Sequence, residues 1–129
     1  MMLILYADGG CWPNPGPAKF GVVAKSGGAV VASFGESIGH ATNNVAEWSG
    51  AIAALKYAID TRAQSVELRM DSQLVVNQLN GRWKVKNAGL RPLVDQGKWL
   101  LAHLRSTGAV VLVKWIPREQ NQEADGLTR

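Results

Sequence analysis

The sequence predicts an α/β domain built on one mixed, five-stranded sheet that is flanked by helices. Three β-rich segments follow one another near the N-terminus, and helical and strand patterns alternate after them. The predicted order is βββαβααβα, with three antiparallel strands first and parallel strands joined by right-handed crossovers afterwards. A chain of 129 residues is the size of one ordinary domain. We therefore expect residues 1–129 to form a single domain.

The first three predicted strands form a meander. Residues 2–8 are rich in β-forming side chains, and the nine residues GGCWPNPGP that follow contain three prolines and three glycines, which predict a turn or loop. Two further strands are predicted over Lys19–Lys25 and Ala29–Phe34. The short SGG connection between them is typical of antiparallel neighbours.

The second half of the chain alternates between helix and strand. Thr42 or Asn43 can cap a helix that runs to about Asp60, because apolar residues recur there every three or four positions. A strand is predicted over residues 64–70 and a short helix over 71–80. A helix over 90–106, a buried strand over the apolar run 110–115 and a final helix over 118–127 complete the order.

Composition narrows the class of protein. The formal net charge is +4, from 14 basic and 10 acidic residues, and one cysteine, Cys11, cannot form an internal disulfide. The apolar runs are shorter than the roughly 20 residues that span a bilayer. We expect a cytoplasmic, monomeric protein that does not enter a membrane.

Four carboxylates stand in or against apolar runs, where a soluble chain gains least from a charge. They are Asp8, Glu47, Asp71 and Asp125. If folding gathers them, each pair of unit charges about 4 Å apart costs roughly 4 kcal/mol at an effective dielectric constant near 20. Divalent cations would cancel this repulsion. Without these four residues, 14 basic residues face only 6 acidic ones, which favours a polyanionic partner. The pattern predicts a metal-dependent nuclease.

Four sequence blocks together carry a family resemblance. The blocks are DGGCWPNPGPAKFGVV (8–23), TNNVAEWSGAIAAL (42–55), DSQLVVNQL (71–79) and NQEADGL (121–127). Taken in this order and spacing, they resemble type 1 ribonuclease H over nearly the whole chain. The resemblance implies a ribonuclease-H-like fold and an endonuclease that cuts the RNA strand of RNA/DNA hybrids, leaving a 5′-phosphate and a 3′-hydroxyl.

The resemblance also implies a cofactor and catalytic roles. The four carboxylates would hold two Mg²⁺ ions, with Mn²⁺ as an alternative, because hard cations take carboxylate and phosphate oxygens. Asp8 would bridge both ions, Asp71 would support the ion that activates water, and Glu47 and Asp125 would complete the coordination. The plainer reading is a helix cap or surface charge, which suits Asp71 and Asp125 but does not suit Asp8 or Glu47.

Further positions match the substrate contacts of that family. Expected minor-groove contacts come from side-chain amides, which donate and accept hydrogen bonds: Asn14, Asn43, Asn44 and Gln73. A phosphate pocket on the DNA strand is expected at Thr42 and Asn87, with His40 where some members carry an arginine. Taken singly, Asn14 also suits a turn and Asn43 a helix cap.

A basic segment, GRWKVKNAGLRP (81–92), is the expected duplex-gripping element. Its Trp83, Lys84 and Lys86 would contact the hybrid, through phosphate contacts that make binding sensitive to salt. The alternative is that this segment is a solvated loop with no role in binding. The other tryptophans, Trp12, Trp48, Trp99 and Trp115, fit core or rim packing better than base stacking.

The chain departs from the family pattern in one segment before the last acid. Many members carry a histidine there that is thought to aid product departure, and WIPREQNQEAD (115–125) has none. Arg118 or Glu119 are the candidates to replace it.

Two other functions remain open from the sequence. One is a hybrid- or RNA-binding module of the same fold that cuts poorly, against which the presence of all four acids argues. The other is a related nuclease, such as a retroviral-type domain of a polyprotein or an integrase-like strand-transfer domain. The TNNVAE and DSQ blocks favour hybrid cleavage over DNA joining.

Overall fold

The computed structural model describes residues 2–129 and contains one five-stranded sheet. Its strands are β1 (Met2–Cys11), β2 (Gly16–Ser26), β3 (Ala29–Ala41), β4 (Ser65–Met70) and β5 (Val110–Trp115). They lie in the order β3-β2-β1-β4-β5. The first three pair antiparallel, and β4 runs parallel to both β1 and β5. The predicted mixed sheet is confirmed.

Four α-helices surround the sheet: α1 (Asn43–Asp60), α2 (Gln73–Leu79), α3 (Arg91–Ser106) and α4 (Gln122–Gly126). Thr42 caps α1, since its hydroxyl accepts a hydrogen bond from the backbone N–H of Val45 at 3.3 Å. Ser72 caps α2 in the same way, through the N–H of Val75. Within residues 2–129, no helix has the length and hydropathy that crossing a bilayer requires.

The core lies between the sheet and the helices α1 and α3. Leu3, Leu5 and Leu68 point from β1 and β4 towards the fully buried Trp48 of α1. The indole N–H of Trp48 donates to the side-chain oxygen of Gln78 at 2.9 Å, which satisfies a polar pair in the core. The short helix α4 lies on the opposite face, where it contacts β1 and β2.

Several predicted boundaries were wrong. Strand β3 runs on to Ala41 rather than ending at Phe34, because residues 35–41 pair with the first part of β2. The predicted final helix is instead a 3₁₀ turn, Arg118–Gln120, followed by α4. The two pieces are separated at Asn121, whose side chain donates to the carbonyl of Ala7 at 2.9 Å.

Strand β5 is not the fully buried strand that its apolar run predicted. Val111 and Val113 are buried beneath the helices, whereas Val110 and Leu112 are exposed on the other face. Because β5 is an edge strand and α4 covers only β1 and β2, its second face meets solvent. A continuous apolar run therefore does not by itself show that both faces of a strand are covered.

Two glycines allow α1 to approach β1 unusually closely. A Cβ on Gly9 would lie 2.2 Å from the backbone of Ala46, and one on Gly50 would lie 2.8 Å from the carbonyl oxygen of Asp8. Since α1 carries Glu47, this close approach is what sets Glu47 beside the end of the β1–β4 pair.

Gly50→Ala is expected to destabilise the protein, although alanine is the better helix former. The added methyl must push α1 away from β1, and overpacking of this kind costs about 1–3 kcal/mol. The matched control is Gly126→Ala in α4, where a Cβ meets no atom within 4 Å. This control should keep or raise the free energy of unfolding by up to about 1 kcal/mol. Urea unfolding measures both, and equal stabilities for the two variants would contradict the expectation.

Candidate active site

Three carboxylates meet where the pairing of β1 with β4 ends. The two strands pair up to Ala7 and Met70, and the next residues along each chain are Asp8 and Asp71. Glu47 reaches the same place from the second turn of α1. One carboxylate oxygen from each of these three acids lies within 4.8 Å of the others. Segments that are remote in sequence thus form one acidic cluster.

Burial and mutual repulsion disfavour charge in this cluster. Asp8 is only 5% exposed, and burial, with the charges of Asp71 and Glu47, raises its pKa to about 8. Burial raises the pKa of Glu47 to about 7, although a hydrogen bond from Ser72 opposes the shift. Near neutral pH, Asp8 is therefore mostly protonated and Glu47 about half protonated unless positive charge is supplied.

Asp125 has a different environment from the other three acids. It projects from α4 and shares a hydrogen bond with Asp8. Its own pKa is lowered, first because Arg129 donates a hydrogen bond to it at 2.7 Å. Arg118 lies 3.8 Å from its other oxygen. The sequence predicted that Asp125 joins the cluster, and the structure adds two guanidinium groups that the motif did not indicate.

Asn121 supports the site and was not singled out from the sequence. It is 1% exposed, and its amide N–H₂ contacts both the carbonyl of Ala7 at 2.9 Å and Oδ1 of Asp71 at 3.5 Å. Its own Oδ1 is buried without a hydrogen-bond partner among the described residues. Trp115 also holds this segment, because its indole N–H donates to the backbone carbonyl of Asp71 at 3.2 Å. The signal was present in the NQEAD block, which placed Asn121 four residues before Asp125.

The donor set fits hard divalent cations. One oxygen from each of three carboxylates lies within 4.8 Å of the others, which is close enough for one ion to contact all three. The raised pKa of Asp8 shows that negative charge is unfavourable in this cluster. An orphaned buried amide oxygen on Asn121, beside Asp71, provides a further acceptor for a hydrogen-bonding water. Asp8, Glu47, Asp71 and Asp125 are the residues that would hold such ions.

The acidic cluster forms the floor of an open cleft of about 950 Å³. Three cationic side chains line it as well: Lys19, Arg118 and Arg129. Trp12, for which the sequence predicted core or rim packing, is 87% exposed at the same cleft and is therefore not a core residue. Trp99, predicted in the same way, is 63% exposed on α3, where its ring stacks on His103. A cleft with an acidic floor and a cationic rim suits a polyanion bound through metal ions.

Asn14 and Asn43 lie together beside the cleft. The Oδ1 of Asn14 accepts from the backbone N–H of Asn43 at 3.1 Å, and the Oδ1 of Asn43 accepts from the N–H of Cys11 at 2.9 Å. Because both amide oxygens accept from backbone N–H groups, both N–H₂ groups remain as donors. Asn44 and Gln73 are exposed at the starts of α1 and α2, and Thr42 caps α1.

The basic segment forms the connection between α2 and α3. Trp83, Lys84 and Lys86 are all exposed there, and Trp83 and Lys84 line a shallow cavity together with Lys98 of α3. Asn87 is exposed too, but its side-chain oxygen accepts from the N–H of Gly89 at 2.8 Å, as in a turn. The cavity beside Trp83 and Lys84 has no lining residue in common with the cleft above the acidic cluster.

The two candidates for product release are placed differently. Arg118 lines the cleft and reaches Asp125, whereas Glu119 is exposed and is not among the residues that line the cleft. Of the two, only Arg118 has direct access to the acidic cluster.

Comparison with known proteins shows similarity over nearly the whole chain. A family model described as reverse transcriptase-like matches residues 6–129. A bifunctional protein of Mycobacterium tuberculosis is 42% identical over 98% of this chain, which spans 34% of that protein. Ribonuclease HI of Halobacterium salinarum is 42% identical over 95% of this chain and 60% of its own length. Ribonuclease H of Roseobacter denitrificans is 33% identical over 98% of this chain and 93% of its own length.

Solved structures show the same relationship. The crystal structure of RNase H1 from Halobacterium salinarum matches with a TM-score of 0.88 at 42% identity, covering 99% of this chain and 95% of that one. LC11-RNase H1 in complex with an RNA/DNA hybrid matches with a TM-score of 0.85 at 36% identity, covering 98% and 93%. The chain thus spans about a third to three fifths of the mycobacterial and halobacterial relatives, and nearly all of the matched structures.

Without divalent ions, the protein should lose stability as the pH rises from about 5 to about 8. The pKa values of Asp8 and Glu47 are raised above their ordinary 3.8 and 4.5, so the folded chain binds more protons than the unfolded one in this window. Asp125, whose pKa is lowered, stays ionised throughout it. Mg²⁺ should therefore raise the melting temperature more at pH 8 than at pH 5.

Thermal melts in EDTA and in Mg²⁺ at both pH values measure this effect. Asp8→Asn should flatten the pH dependence and remove most of the gain from Mg²⁺, whereas Asp60→Asn, an exposed carboxylate at the end of α1, should change neither. A wild-type protein that Mg²⁺ stabilises equally at both pH values would refute the electrostatic account of the cluster.

Proposed function

Because the chain belongs to the ribonuclease H family, we propose that it is an endonuclease that hydrolyses the RNA strand of RNA/DNA hybrids. The observation that carries the proposal is the cluster of Asp8, Glu47 and Asp71, whose oxygens lie within 4.8 Å at the floor of a wide cleft. The proposed products carry 5′-phosphate and 3′-hydroxyl ends. LC11-RNase H1, similar over nearly the whole chain, has been solved with such a hybrid.

The proposed cofactor is Mg²⁺, two ions for each site, with Mn²⁺ as a substitute. When bound, such ions lower the pKa of a water molecule on one side of a phosphodiester and stabilise the leaving oxygen on the other. Asp8, the most buried of the four acids, is proposed to be one of the residues that would hold the ions. Asp71, Glu47 and Asp125 would complete the coordination, with Asp71 oriented by Asn121 and Trp115.

The carboxylates themselves also control protons. Ser72 donates a hydrogen bond to Glu47, Asp8 shares a hydrogen bond with Asp125, and burial raises the pKa of both Asp8 and Glu47, so these two acids bind protons more readily than usual. Loading of divalent ions would expel those protons, which predicts that ion binding tightens as the pH rises. Arg118 is proposed to assist departure of the product through its position in the cleft, and Glu119 remains a weaker candidate.

The asparagine pair is proposed to recognise the minor groove. The free N–H₂ groups of Asn14 and Asn43 are donors, and the acceptors of an RNA/DNA hybrid groove are base N3 and O2 atoms and ribose 2′-oxygens. Asn44 and Gln73 would extend this contact. Thr42 and Asn87 are proposed to bind a phosphate of the DNA strand.

The connection between α2 and α3 is proposed to grip the duplex. Trp83 offers an exposed ring, and Lys84 and Lys86 offer two exposed charges on one short segment. Contacts of lysine with phosphate carry little sequence information but contribute strongly to affinity at low salt.

We also propose that residues 1–129 act as one catalytic domain, as a monomer and in the cytoplasm. The single Cys11 agrees with a reducing compartment. The alternative is a hybrid-binding module with little cleavage. Such a module has no use for three carboxylates gathered in one buried cluster, which argues against it.

Asp71→Asn should lower hybrid cleavage by more than about 100-fold while hybrid binding persists, because even residues that only orient a metal ligand contribute about 10–100-fold. Gel assays with labelled RNA/DNA hybrid, single-stranded RNA and DNA duplex, in Mg²⁺, Mn²⁺ or EDTA, measure this loss. Asp60→Asn is the matched control and should cleave as the wild type does. Cleavage by the wild type in EDTA, or cleavage of single-stranded RNA alone, would overturn the proposal.

Lys84→Ala combined with Lys86→Ala should weaken hybrid binding and flatten its salt dependence. Each lost phosphate contact should lower the slope of log K against log salt by about 0.9. Lys56→Ala, an exposed lysine on α1, should leave the slope unchanged. Fluorescence anisotropy in EDTA, over a series of salt concentrations, gives the slope. An unchanged slope in the double variant would assign the segment to a solvated loop.

A further inference from the structure

The Asp125 carboxylate is engaged by arginine on both of its oxygens. Arg129 donates to Oδ2 at 2.7 Å from one helical turn further along, and Arg118 lies 3.8 Å from Oδ1. Asp125 itself is mostly buried, whereas both arginine side chains are exposed by more than two thirds. The acid is therefore fixed in the structure, and the arginines reach it from the solvent side.

This ion pair adjoins the acidic cluster directly. Asp125 shares a hydrogen bond with Asp8, and Arg129 lines the same cleft as Asp8 and Asp71. The positive charge of Arg129 thus occupies one of the four carboxylates that a pair of divalent ions would use. A divalent ion bound to the same carboxylate would be repelled by the positive charge of this guanidinium, so the two cations compete electrostatically for Asp125.

We propose that Arg129 is an intramolecular counter-cation, a positioning residue that holds Asp125 in the ion-free protein and competes there with divalent metal. The inference rests on the proposed function, since it assumes that Asp125 serves as a metal ligand. It assigns Arg129 a role that follows from its contact with Asp125.

The pair is suited to exchange. An ion pair with an exposed partner contributes little to stability, so metal can displace Arg129 without a large loss. A guanidinium also binds phosphate oxygens well in bidentate geometry. A hybrid in the cleft offers Arg129 a phosphate in place of Asp125, and Asp125 is then free for metal.

Two linked equilibria follow. A bound hybrid attracts Arg129 away from Asp125 and so tightens metal binding. A metal ion at Asp125 frees Arg129 to bind phosphate and so tightens hybrid binding. By linkage the two effects are equal in size. Arg129 would in this way keep metal affinity low in the free protein and raise it when the substrate is present.

The direct test is calorimetric titration of the free protein with Mn²⁺ and with Mg²⁺, without nucleic acid. Arg129→Ala and Arg129→Gln should both bind the ions about 3–10-fold more tightly than the wild type, since a competing cation has been removed. Arg129→Lys should stay close to the wild type because the charge remains. Lys56→Ala, which removes a distant exposed charge, is the control for net charge and should also stay close.

A second readout is thermal stability. In EDTA at pH 8, Arg129→Ala should melt slightly below the wild type, by no more than a few degrees, because the lost ion pair is exposed. Addition of Mg²⁺ should abolish the difference, because metal replaces the missing charge. Circular dichroism at low temperature shows whether each variant is folded, and Arg129→Gln, which retains most of the side chain's length, repeats the test if Arg129→Ala is unfolded.

Unchanged ion affinity in both Arg129→Ala and Arg129→Gln overturns the proposal, and so does a wild-type protein that binds no divalent ion. The proposed function fails by a separate observation, the absence of metal-dependent hybrid cleavage by the wild type. Tighter ion binding in the variants without any cleavage would therefore support the counter-cation role of Arg129 and reject the nuclease.

Discussion

The packing of α1 on β1 places Asp8, Glu47 and Asp71 close together, and repulsion among these carboxylates governs the chemistry of the site. Asp8 and Asp71 follow directly on paired residues of two adjacent parallel strands, so the sheet itself sets their separation. Gly9 and Gly50 bring α1 close enough to add Glu47. The backbone cannot relax this arrangement without separating α1 from β1. The charge must therefore be balanced by protons, by arginine or by metal.

Each acid in the ion-free protein is balanced in its own way. Asp8 and Glu47 hold protons, because burial raises the pKa of each. Asp125 instead keeps its charge beside Arg129, and Asp71 is held by the amide of Asn121 and by the indole of Trp115. Divalent cations can therefore take the place of the protons on Asp8 and Glu47 and of Arg129 at Asp125. A metal-dependent nuclease requires an ion-free state that permits this exchange.

Three groups of side chains outside the acidic cluster are proposed to bind the polyanion. The cationic rim formed by Lys19, Arg118 and Arg129 lies at the cleft itself, where the reaction is proposed to occur. Lys84 and Lys86, between α2 and α3, are exposed, and Lys84 lines a different cavity. Asn14 and Asn43 offer their side-chain N–H₂ groups as hydrogen-bond donors, because their side-chain oxygens accept hydrogen bonds within the fold. In the proposed function, affinity, orientation and chemistry would therefore rest on separate groups of side chains.

Local signals were enough to predict the order of the elements and the mixed sheet, and to single out four carboxylates, because apolar periodicity and charges within apolar runs are visible along the chain. Which other groups contact those carboxylates became visible only in the folded chain. The side chain of Asn121 contacts Ala7, 114 positions away in the sequence, and Asp71, 50 positions away. No local pattern encodes such contacts. The sequence likewise could not show that one face of β5 and the ring of Trp12 are exposed, because burial depends on which helices pack against each surface.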